Sequence, residues 1–111
     1  MLAEMGTEPF ERYCAPCHGA KALGDGPVAP SLSTAPADLT RIAARRGGEF
    51  PRGEIGRMID GRFVIDAHGT REMPVWGARF GEAIADPGLS EEVSRGTIAV
   101  LVEYLVSIQA R

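Results

Sequence analysis

The chain of 111 residues holds two cysteines, and they stand together as Cys14-Ala15-Pro16-Cys17-His18. Two thiols three residues apart on one helical turn can each add to a vinyl group of a porphyrin. The adjacent His18 then lies under the iron as a ligand. The spacing therefore permits covalent haem attachment. Three other chemistries draw on the same residues. Cys-x-x-Cys with proline third also suits a thioredoxin-like dithiol, but that motif expects a preceding strand in a βαβ unit, and a helix is predicted before Cys14. Zinc needs four ligands; Cys14, Cys17, His18 and His68 are the whole stock of Cys and His, and adjacent Cys17 and His18 fit one tetrahedron awkwardly. A disulfide across so short a loop adds modest stability and leaves His18 without a role.

These residues need elements to hold them. Thr7 can cap a short helix over 8–13, with Pro9 tolerated in its first turn and Glu8 and Glu11 suited to the positive helix end. The glycines and prolines of 19–37 exclude a long helix or a central strand there. Asp38 can cap a second helix whose apolar face is Leu39, Ile42 and Ala43 and whose stop is Gly47-Gly48. A third helix is predicted over 51–60, with Ile55, Met58 and Ile59 facing the core and Gly61 as the stop. Phe63-Val64-Ile65 can be extended, 68–77 reads as loop, and a turn of helix is predicted around 78–84. Pro87-Gly88 breaks the chain, after which Ser90 caps the longest helix, to about Gln109, with Glu91 and Glu92 in its first turn. Nothing alternates with period two for long enough to build a sheet. The expectation is a single all-α domain over 1–111, without internal repeat or linker.

The stretch Gly6-(x3)-Phe10-(x3)-Cys14-Ala15-Pro16-Cys17-His18-Gly19 resembles the opening of class I c-type cytochromes, the monohaem cytochromes c. Met73-Pro74-Val75-Trp76-Gly77 looks like that family's axial-methionine loop, and Ala99-Val100-Leu101-Val102-Glu103-Tyr104-Leu105 like its C-terminal helix. The likeness runs in order from about residue 5 to 108. It implies an all-α cytochrome c fold in which short helices and Gly/Pro loops surround one haem c, attached through Cys14 and Cys17. The first and last helices cross, with Gly6 permitting close approach and Phe10 packing beside Leu101, Tyr104 and Leu105. His18 and Met73 are the implied iron ligands. A soft thioether suits haem iron and raises its potential, and Pro74 biases Met73 towards extended backbone.

The same resemblance gives His18 a carbonyl partner from a proline after the motif; Gly26-Pro27 and Pro30-Ser31-Leu32 each fit part of that pattern, with Pro27 favoured because it follows a glycine. Trp76 can offer its indole N–H to a propionate or pack in the core. Arg71 and Arg79 flank the methionine loop as candidates to neutralise propionates, against the alternative of solvated arginines. His68 is a rival ligand whose plainer role is a turn histidine or a propionate donor.

The net charge of −3 argues mildly against nucleic-acid binding. Arg45-Arg46, the one adjacent basic pair, is suited to a helix end. No stretch approaches a membrane span. The N-terminus has neither the basic nor the apolar region of a signal peptide, so the periplasmic location that the resemblance implies expects an export signal not present in this sequence. From Ile98 to Ile108 nine of eleven residues are apolar. Ile98, Leu101, Tyr104, Leu105 and Ile108 form the core stripe; Ala99, Val102 and Val106 form a second side, either weakly exposed valines or a contact face for a second copy or a partner subunit. With 14 Gly, 8 Pro and only four Phe, two Tyr and one Trp, the core is thin, and a buried porphyrin would supply the missing large apolar body. The functional expectation is an electron carrier, not an enzyme, exchanging electrons with redox partner proteins. The alternatives are a haem-bearing electron-input subunit or domain of a larger oxidoreductase, a gas- or peroxide-binding haem protein, and a dithiol oxidoreductase.

Overall fold

The computed structural model describes residues 2–62 and 73–110. Among the described residues the chain is helical, with turns and loops and no strand. Its internal contacts divide it into two compact units, residues 1–51 with 100–111, and residues 52–99.

In the first unit, residues 2–18 are helical almost throughout: α1 (Leu2–Met5), α2 (Thr7–Pro9), a π-helical turn (Phe10–Cys14) and α3 (Ala15–His18). The helix starts earlier than Thr7, and Thr7 is not its cap; Gly6 precedes α2 without a side-chain cap. The wide turn has a local cause. Pro16 has no N–H for the carbonyl of Arg12 and its ring crowds that position, and the N–H of Ala15 bonds back to Phe10 instead. Gly6 does permit the close approach expected of it: a Cβ there would overlap the Val100 carbonyl and Tyr104 Cβ. Phe10 is buried and its ring lies 4.9 Å from that of Tyr104.

Asp38 caps as expected. Its carboxylate accepts from Thr40 N at 2.9 Å and Thr40 Oγ1 at 2.6 Å, and a 3-10 turn (Leu39–Arg41) leads into α4 (Ile42–Arg45). Gly47 and Gly48 follow with positive φ, and the Gly48 N–H returns to Ala43. Gln109 joins α4 to the end of the chain: its Oε1 accepts from Ala43 N, and its Nε2 donates to Leu39 O and Leu105 O.

In the second unit, α5 (Arg52–Asp60) buries Ile55 and Ile59. Met58, expected beside them in the core, is 49% exposed; the apolar stripe is one residue narrower than its spacing suggested. Gly61 stops the helix with positive φ and bonds back to Arg57. The short helix expected around 78–84 forms earlier, as α6 (Trp76–Arg79).

The long helix α7 (Pro87–Ser107) runs through both units. Its start differs from expectation. Asp86, not Ser90, is the cap: Asp86 Oδ1 accepts from Gly88 N at 2.9 Å and Leu89 N at 3.1 Å, and Pro87 opens the helix, where its missing N–H costs nothing. Ser90 lies inside the helix, and its hydroxyl is given to Gly81 O. Ile98, Leu101 and Leu105 are buried as the core stripe requires, while Tyr104 and Ile108 are half-buried. Val102, assigned to the second side, is only 6% exposed. The proposed contact face for a partner is thus interrupted, because the buried arc of α7 is wider than a single stripe. No described helix is long and apolar enough to cross a membrane. Phe63-Val64-Ile65, His68 and Arg71 lie outside the described residues.

Candidate functional site

The cysteine–histidine motif occupies the single turn of α3 and the residue before it. Pro16 suits that turn because proline is pre-set for a helix start. Gly19, with φ 89°, ends it by leaving helical conformation. The carbonyls so orphaned are satisfied by the following loop, which doubles back: Val28 N donates to Pro16 O, Gly26 N to Cys17 O and Gly24 N to His18 O, at 2.9, 3.0 and 2.7 Å. A side chain at Gly26 would overlap the carbonyl oxygens of Ala15 and Pro16. Glycine there is what lets the loop lie on the motif.

Both cysteines are free thiols, Cys14 buried at 9% exposure and Cys17 half-buried. Burial, with a smaller contribution from the neighbouring Cys17, pushes the Cys14 thiol up to about 12. A dithiol oxidoreductase needs the opposite, a thiol acidified so that its thiolate can attack. Among the described residues, no three His, Cys, Asp or Glu side chains gather as a group able to hold a metal ion.

His18 is held at its Nδ1, 3.1 Å from the carbonyl oxygen of Ala37. A carbonyl only accepts, so Nδ1 carries the proton and Nε2 keeps the lone pair. Burial holds the imidazole pKa below its usual value, and the bond to Ala37 opposes that shift only in part. A neutral imidazole with a fixed tautomer is the form that ligates metals. The partner is neither Pro27 nor Pro30. Both prolines are exposed, and the backbone on either side of Pro27 is committed to the Pro16 and Cys17 carbonyls. The chain instead returns to His18 one bend later. Pro36 O crowds the α-carbon of Gly24, and Leu39 N donates to Ala22 O at 2.7 Å. This places Ala37 where the ring can reach it. No sequence signal marked that alanine, because a carbonyl is common to every residue.

The segment that carries Met73 belongs to the second unit. Met73, Pro74 and Val75 are half-buried and non-helical, and lead directly into α6. Trp76 stacks on Phe80, ring centroids 5.4 Å apart and 11° from parallel. Arg79, exposed, places its guanidinium 5.9 Å from the Trp76 ring centroid, a cation–π contact that the sequence reading had not given it. Gly77 is buried; its carbonyl accepts from Ser94 Oγ at 2.9 Å. Asp60, Arg62 and Glu91 form an ion set nearby, with Arg62 Nε 2.7 Å from Asp60 Oδ1 and Arg62 Nη1 2.6 Å from Glu91 Oε2. Asp60 and Glu91 are far apart in sequence, and only the i,i+4 pair of Glu91 with Arg95 carried a local signal.

The donor set fits a covalent haem. Two free thiols and a neutral histidine with Nε2 available stand at the end of one helical stretch, and a thioether is carried by a held, non-helical segment. No family model matches the chain, and no match is found among curated proteins or solved structures.

Proposed function

We propose that the chain is a c-type cytochrome that carries electrons between redox partner proteins in the periplasm. Cys14 and Cys17 would hold one haem through thioethers, with His18 Nε2 and the Met73 sulfur as iron ligands. The observation that carries this reading is the bond from His18 Nδ1 to Ala37 O beside two free thiols. It orients the ring, fixes its tautomer and makes Nε2 the donor atom. The dithiol reading gives His18 no reason to be so held, and for zinc no group of three His, Cys, Asp or Glu gathers among the described residues. When bound, the haem supplies a one-electron iron couple.

The chain's own residues then account for the rest. With His18 and Met73 both bound to the iron, no coordination position would be left for a substrate, which favours a carrier over a catalyst. The thioether of Met73 would raise the potential relative to a stronger donor. Arg79 and Trp76 are the described candidates to meet propionates. The seating of Gly6 and Phe10 on Val100 and Tyr104 supports the cytochrome c arrangement of first and last helices.

The test is expression with a haem-attachment system, followed by denatured mass and optical spectra of both redox states. The expected result is a mass greater by one haem, a low-spin spectrum and a methionine–iron charge-transfer band that Met73→Ala removes. A mass equal to the bare polypeptide would sink the proposal.

A further inference from the structure

The segment that carries Met73 is fastened to α7 by a repeated contact. Ser94 Oγ donates to Gly77 O at 2.9 Å, and Ser90 Oγ donates to Gly81 O at 2.7 Å. Two hydroxyls four residues apart on one helix thus grip two carbonyls four residues apart on the other segment. Both gripped residues are glycines with no room for a side chain. A Cβ on Gly81 would overlap Ser90, and one on Gly77 would overlap Asp60 Oδ1 and Arg62. Ser94 is 1% exposed, so its bond to Gly77 is shielded from water and costly to break.

The carboxylate that covers Gly77 is itself fixed. Arg62 Nε and Nη2 donate to Asp60 at 2.7 and 2.9 Å, and Nη1 and Nη2 donate to Glu91 at 2.6 and 3.2 Å. One guanidinium therefore ties the end of α5 to the first turns of α7, with Gly77 packed against the tie. Arg95 Nε adds a 2.9 Å bond to Glu91. Planar forks of this kind fix geometry as well as supplying energy. Met73 stands four residues before Gly77 on the same segment.

We propose that Ser94, Ser90 and the Asp60–Arg62–Glu91 set are positioning residues that hold the Met73 segment and so govern how readily its thioether leaves the iron. This inference rests on the haem reading above. A thioether is a weak donor, and its persistence depends on the protein keeping it in place. Loss of the outer-shell partners of metal ligands typically costs 10- to 100-fold in metal affinity or activity.

The test compares the ferric holoprotein with three variants by imidazole titration, since imidazole competes with Met73 for the iron. Ser94→Ala and Glu91→Gln are expected to lower the apparent Kd for imidazole by about ten-fold and to weaken the methionine–iron band. Gln109→Ala removes three hydrogen bonds in the other unit; it is expected to lower thermal stability while leaving imidazole affinity at the parental value. Glu91 is part-exposed and glutamine preserves its shape, so this variant carries the test even if Ser94→Ala does not fold. Parental imidazole affinity in the folded variants, or an equal change in Gln109→Ala, would overturn the positioning role and leave the haem reading standing. A parent protein without covalent haem would overturn both.

Discussion

A histidine that ligates a metal must be neutral and must present a fixed nitrogen, and at His18 both conditions come from its surroundings. Burial disfavours the imidazolium, and the Ala37 carbonyl accepts a hydrogen bond from Nδ1–H. The same burial works against Cys14 as a redox nucleophile, by keeping its thiol protonated to about 12. Asp38, on the approach to α4, shows the opposite sign. The hydroxyl of Thr40 is the chief cause that holds its carboxyl below the ordinary value of 3.8, with Arg41 and Arg45 adding to it. A depressed folded pKa contributes stability that is fully present above the unfolded value and lost as pH falls through the folded one. Asp38→Asn keeps an acceptor for the cap but cannot titrate. The parent is therefore expected to be the more stable above 3.8, and its advantage to close as pH falls below that value. Denaturant midpoints of the two proteins against pH check this. A gap unchanged at pH well below the folded value would show that Asp38 contributes nothing through its charge.

Among the elements, α7 matters most, because it serves both units and carries Ser90, Glu91 and Ser94 towards the methionine segment. Its first turn is set by Asp86-Pro87, where the Asp86 carboxylate satisfies two N–H groups that no helical carbonyl can reach. Asp86→Ala is expected to lower stability by about 1 kcal/mol, and Asp86→Ser to recover most of it. Urea midpoints check this; full stability in Asp86→Ala would return the cap to Ser90. The reading of 87–90 as a break followed by a Ser cap failed for a definite reason. Pro-Gly signals a turn, yet proline is also the favoured first residue of a helix once aspartate precedes it. The π-helical turn before Cys14 was equally hidden. It depends on how Pro16 affects the turn behind it, a detail that apolar spacing does not encode.

For the whole molecule, the scarcity of aromatic residues acquires a physical meaning under the haem proposal. A covalent porphyrin would add a large apolar body that the 14 glycines and 8 prolines cannot supply, and a ligand bound only by the folded state stabilises that state. The double variant Cys14→Ser/Cys17→Ser, stripped of any non-covalent haem, is expected to lose cooperative thermal unfolding and much of its helical circular dichroism. A haem-free chain that unfolds in one sharp transition would show that the core closes without the cofactor. With a haem bound, the net charge of −3 would become more negative, since two propionates together outweigh the iron centre's net charge. Docking to a basic partner is then favoured, and its rate is expected to fall with rising salt.

The sequence by itself determined the features that depend on neighbours within a few residues. It specified an all-helical chain, the Asp38 cap, the glycine stops at Gly47 and Gly61, and the grouping of Cys14, Cys17 and His18. The contact surface of Gly6 and Phe10 was implied only by the resemblance to the cytochromes c. Tertiary structure alone decided which carbonyl holds His18, that Met58 is exposed and Val102 buried, and that Ser94, Arg62 and Glu91 converge on Gly77. Those outcomes depend on residues 17 to 29 positions apart or on the width of a buried arc. Spacing encodes which face of a helix is apolar, but where the chain comes back to meet that face is settled only when the loops close.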